Sequence, residues 1–119
     1  MSDRYRWNAP EPMRARIDYE LSAARSTQNP WPNLERAHVL SQPWAWPHVK
    51  VHGAMLVSAV RTRNGREVRG QIIRLIVAGP GSIAGRYPSG NSGRTTMPLN
   101  ATAKVPDDLA ALLQLHRIP

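Results

Sequence analysis

The chain has 119 residues, 41% of them apolar, and a net charge of +8 from sixteen Lys and Arg against eight Asp and Glu. That length supports one domain with a modest core, for which a helical bundle is the economical solution. With no cysteine in the chain, disulfides, thiolate metal sites and cysteine nucleophiles are excluded.

The N-terminal MSDRYRWNAPEPMRAR lacks the apolar centre of a signal peptide. No apolar run approaches a membrane span, so a cytoplasmic protein without a membrane partner is expected. The positive charge attracts polyanions, but fourteen of the sixteen basic residues are Arg and they are spread along the whole chain. Charge alone therefore makes a weak case for nucleic acid.

Residues 1–10 read as a flexible arm and residues 11–119 as a single helical domain. A first helix starts near Pro12, since proline is tolerated in a first turn. In it Met13, Ile17, Leu21 and Ala24 recur at spacings of three and four. Asn29-Pro30 closes that helix and opens a second over Trp31 to Ser41, with Asn29 as N-cap and Trp31, Leu34 and His38 on one face. QPWAWP follows as a stiff corner, because Pro43 and Pro47 fix their own φ and restrict the residue before each.

Pro47 opens the third and longest helix, PHVKVHGAMLVSAVRTRN. Here His48, His52, Met55 and Ala59 form one row, and Val49, Leu56 and Val60 the next. Asn64 ends it and caps a fourth helix, GREVRGQIIRLIVAG, where Asn64 and Glu67 match a capping box. Val68, Ile72, Leu75 and Ile76 are its expected buried stripe, and Gly79-Pro80 its stop. PGSIAGRYPSGNSGRTTMPLN reads as a long loop, and VPDDLAALLQLH as a short closing helix with Asp107 and Asp108 at its positive end. The expected fold is all-α: a small bundle of four main helices, a short C-terminal helix and a long ordered Gly/Pro-rich loop. The first two helices resemble a tetratricopeptide hairpin.

His48 and His52, four apart, lie on one side of a helix. Glu35 and His38, three apart, share a face of the preceding helix, and the QPWAWP corner folds the two helices back on each other. His38, His48 and His52, with Glu35 as ligand or ring-orienting partner, are thus candidates for a divalent transition metal: zinc, nickel, copper or iron. Imidazoles bind metal only when neutral, so affinity is expected to fall below about pH 6. The plainer reading is structural or solvated histidines, since HxxxH without a zincin glutamate is a weak motif.

Other constellations carry less. Ser22, Ser41 and Ser58 lack a nucleophile elbow, and the glycine clusters lack the strand and GK[ST] of a phosphate loop. With no second catalytic constellation, the reading leans against an enzyme. Arg86, Arg94 and Asn91 in the second glycine cluster are candidates for contact with an anion or a protein partner. Arg61, Arg63, Arg66, Arg69 and Arg74 surround the turn between helices three and four. They read as a solvated basic face, and a nucleic-acid partner is disfavoured.

LERAHVLSQ, then HVKVH followed by ML, then GRYPSGNSG, in that order from about residue 13 to 113, resemble the bacterial domain of unknown function 3703 family. The resemblance implies a small helical protein with no established activity and an association with heavy-metal resistance. It places the family's histidine pattern on His38, His48 and His52 and its acidic partner on Glu35. This chain departs from the pattern at Ser41, Gly53 and Ser92, none of which removes a candidate ligand. The function expected is metal binding at a histidine-rich helical corner, in sensing, buffering or resistance; the alternative is a helical protein–protein interaction module.

Overall fold

A computed structural model of the chain describes residues 7–83, 90–95, 97 and 101–116. Within them lie five helices: α1 (Glu11–Arg25), α2 (Trp31–Ser41), α3 (Ala45–Arg61), α4 (Gly65–Ile83) and α5 (Asp107–Leu115). The described residues contain no strand, and none of their helices is long and apolar enough to cross a membrane. Arg86 and Tyr87, and most of the N-terminal arm, lie outside the described residues.

The periodic residues of the first two helices do face inward. Met13, Ile17, Leu21 and Ala24 of α1 are buried against Trp31, Leu34, Ala37 and Leu40 of α2 in one apolar cluster. Glu20 joins them at the interface, where Asn33 (3.0 Å), Arg36 (3.1 Å) and Arg16 (3.3 Å) donate to its buried carboxylate. Paired and hydrogen-bonded in this way, a buried charge is tolerated. Asn29 Oδ1 accepts the Trp31 N–H at 3.3 Å, satisfying one of the free donors at the start of α2.

The QPWAWP corner turns the chain between α2 and α3. Trp44 sits in extended backbone with its ring fully buried, while Trp46, two residues later in the first turn of α3, stays half exposed. Only the first tryptophan plugs the core. On α3 the row that goes inward is the histidine row, with Val51, His52, Met55 and Ala59 buried, and Val60 is left exposed. Leu109 of α5 closes the far side of the cluster, where Arg36 pairs with Asp108.

Helix α4 departs twice from its sequence pattern. It runs through Pro80 to Ile83, beyond the expected stop at Gly79-Pro80. Proline brings no N–H to the carbonyl of Ile76, but both residues lie on the solvent-exposed side of the helix, where losing one bond costs least. The extra turn is anchored by Ser82, whose hydroxyl donates to the Gln42 carbonyl at 2.5 Å. The expected stripe of the helix also divides: Val68 packs partly buried against the core and Leu75 is half-buried, but Ile72 and Ile76 are exposed, and the buried face is Glu67, Gly70, Gln71, Arg74 and Ala78.

Candidate metal centre

His38 from α2 and His48 and His52 from α3 meet in the interior, all three nearly inaccessible to solvent. They are the group of metal-type ligands that the described residues bring together; Glu35 is not in it. The three Nε2 atoms form an almost equilateral triangle: 3.1 Å from His38 to His52, 3.1 Å from His48 to His38 and 3.2 Å from His52 to His48.

Each Nδ1 is committed to a different acceptor. His38 Nδ1 lies 2.6 Å from the backbone carbonyl of Asn91, which can only accept. His48 Nδ1 lies 2.8 Å from Ser82 Oγ, whose own proton goes to Gln42. His52 Nδ1 lies 2.7 Å from Gln71 Oε1, and the Gln71 amide nitrogen donates to Glu67 Oε2 and to the Gly93 carbonyl, both at 2.8 Å. Those two acceptors fix which way the Gln71 amide faces. All three imidazoles therefore carry their proton on Nδ1, and three unprotonated Nε2 lone pairs converge with no proton among them.

Burial sets the charge state. It holds His38 well below the ordinary histidine range, with the neighbouring His52 and His48 and the buried Arg74 adding to the effect. Burial likewise pulls His48 down to about 3, and His52 to about 4 despite the stabilising bond to Gln71. At neutral pH the three rings are uncharged donors, the form that binds a metal.

A second layer holds the first. Glu67 is buried at the N-terminal end of α4, where its N–H is capped by Asn64 Oδ1 at 3.1 Å, the expected half of the capping box. Its carboxylate does not turn back to complete that box. It takes bonds from Gln71, from Arg94 Nε at 3.0 Å and from the Thr95 N–H at 3.1 Å. Burial alone would raise the Glu67 pKa, but these donors outweigh it and keep the carboxylate charged. The result is a carboxylate–amide–imidazole chain, Glu67 to Gln71 to His52, of the kind that orients metal-ligating histidines.

Residues 90–95 form a strap over the centre. Gly93 sits at φ +85°, and a Cβ there would lie 2.6 Å from the His38 ring; only glycine allows so close an approach. Asn91 places its carbonyl on His38 and its side-chain amide on the Ala101 carbonyl at 2.7 Å. Arg94 bridges Glu67 and the face of Trp31, 3.9 Å from the ring centroid. Glu35 is half-buried nearby; burial raises its pKa, with Arg94 opposing and Glu67 adding to the shift. The expected contact residues Asn91 and Arg94 thus have internal partners on this strap.

The sequence pattern picked out the three histidines but missed Gln71, Ser82 and Glu67 as their supports. Glu67, Gln71 and Arg74 do repeat at spacings of four and three, a polar stripe that marks one face of α4. Ser82 carried no signal, since it lies beyond the apparent helix stop.

The family model described as "Protein of unknown function (DUF3703)" matches residues 13–113. The chain belongs to that family. No curated protein and no solved structure matches it.

Proposed function

We propose that this member of the DUF3703 family binds one transition-metal ion through Nε2 of His38, His48 and His52. The observation that carries the reading is the convergence of three unprotonated nitrogens, each with its other ring nitrogen already committed to an acceptor. Lone pairs facing one another at 3.1–3.2 Å repel; a cation between them turns that repulsion into three bonds.

The spacing also bears on the metal. Nε2 of His38, His48 and His52, 3.1–3.2 Å apart, would serve as three mutually adjacent ligands of one ion. Square-planar coordination would need one pair of nitrogens about 4 Å apart, and none is. The spacing therefore fits three neighbouring positions on a tetrahedral or octahedral ion and disfavours a square-planar one. A buried site of neutral, pre-aimed donors suits a protein that retains its ion, as in sensing, buffering or resistance. Glu35 serves that site through the charge it places near Arg94 and Glu67.

Calorimetric titration of chelator-stripped protein with zinc, copper and nickel, beside His48→Ala and His52→Ala variants of checked helicity, tests the reading. One-to-one binding by zinc or copper that either variant loses is expected. Titration heats equal to those of buffer would end the proposal.

A further inference from the structure

Helix α4 has a reversed amphipathic character. Its polar arc is buried against the histidines, and its branched apolar residues face outward: Ile72 is 47% exposed, Ile73 50%, Ile76 71% and Val77 42%. At 100° per residue these four, with Arg66, Arg69 and Pro80, fall within one arc of about 140°. Contiguous apolar surface of this kind on a small domain marks a face that something covers.

The two ends of that arc differ in charge. Arg66 and Arg69, both exposed, stand at the N-terminal end. The C-terminal end has no basic residue in its last turn, and Pro80 supplies no N–H to the Ile76 carbonyl. Among the described residues, that last turn therefore sets no cation of its own against the negative end of the helix dipole.

We propose that this face seats a second copy of the chain, α4 against α4 in antiparallel register about a two-fold axis near Ile73. Arg66 lies seven residues before that axis and Pro80 seven after it, about 10 Å in either direction at 1.5 Å per residue. Reversing one helix on the other brings each copy's arginines over the other's C-terminal carbonyls, with the isoleucines at the centre. Such an interface is self-complementary and closes after two copies. A uniformly acidic partner or an anionic membrane would match the arginine end and leave the carbonyl end opposed by like charge. The proposal rests on the outer arc of α4 and is independent of metal binding.

The chain has no cysteine, so Ile73→Cys introduces a single thiol beside the axis, where two copies come within disulfide reach. Under mild oxidation Ile73→Cys is expected to form a covalent dimer, and Leu115→Cys, more exposed on α5, is not. Sedimentation equilibrium of the native chain is expected to show a dimer. Ile73→Asp should raise its dissociation constant at least about tenfold, with helicity and zinc titration unchanged. A native chain that stays monomeric up to about 100 μM, a dimer that Ile73→Asp leaves intact, or a monomer that binds anionic phosphatidylserine vesicles would each overturn the proposal.

Discussion

Gln71→Met separates a side chain that tunes a metal site from one that only fills space. Gln71 is fully buried and makes three hydrogen bonds, to His52, Glu67 and Gly93. Methionine keeps the length and the apolar stem but makes none of them. Glu67 retains Arg94 and Thr95, so the groups orphaned are the His52 Nδ1–H and the Gly93 carbonyl. At about 1–3 kcal/mol for each orphaned buried group, the metal-free protein should lose about 2–6 kcal/mol of stability. Without its acceptor, His52 is also free to carry the proton on Nε2, where it blocks the ligand lone pair. Loss of such a support typically weakens metal binding about 10–100-fold, which is about 1.4–2.8 kcal/mol. Urea unfolding followed by circular dichroism gives the first quantity, and competition for zinc against a chelator of known affinity the second. If stability falls while zinc affinity stays within about twofold, Gln71 does not set the His52 tautomer and the reasoning about the centre is wrong.

The remaining predictions follow from the same geometry. Because burial keeps the three imidazoles neutral in the folded chain, the unfolded chain binds more protons below its ordinary histidine pKa of about 6.5. Stability of the metal-free protein should be complete above that pH and fall as pH drops from about 6.5 toward 4, by at most about 1.4 kcal/mol per pH unit for each histidine. A flat urea midpoint across that window refutes the burial. Zinc bound to folded protein should persist at pH 5, below the pH 6 limit expected from unperturbed imidazoles, because His48 and His52 titrate near 3 and 4; zinc released at pH 6 from protein still folded refutes this. Gly93→Ala forces a Cβ against the His38 ring at an unfavourable positive φ. It should cost about 1–3 kcal/mol of stability and weaken zinc binding, and an unchanged zinc titration would show that the strap does not constrain His38.

Local order in the helices was legible from spacing and breakers. Met13, Ile17, Leu21 and Ala24 announced the inner face of α1, and Asn29-Pro30 and QPWAWP announced the ends of α2 and the start of α3. The histidines were legible too, because three of them on two successive helices joined by a rigid corner have few places to go. Periodicity alone, however, reports that a helix has two faces, not which one turns inward. For α4 the apolar face looked like the buried one, but only Val68 of that stripe packs on the core, and the structure buries Glu67, Gln71 and Arg74 while Ile72 and Ile76 face outward.

What the sequence by itself determined is therefore an all-helical chain with its elements nearly in place and three imidazoles gathered at one corner. Only the tertiary structure decided the chemistry of that corner. The proton on each ring is set by acceptors 19 to 53 residues away in the chain, Gln71, Ser82 and the Asn91 carbonyl. The same distant contacts decide the orientation of α4. A buried polar face is stable only when every donor and acceptor on it finds a partner, and those partners lie on α3, at the corner before it, and on a strap whose position no local pattern encodes.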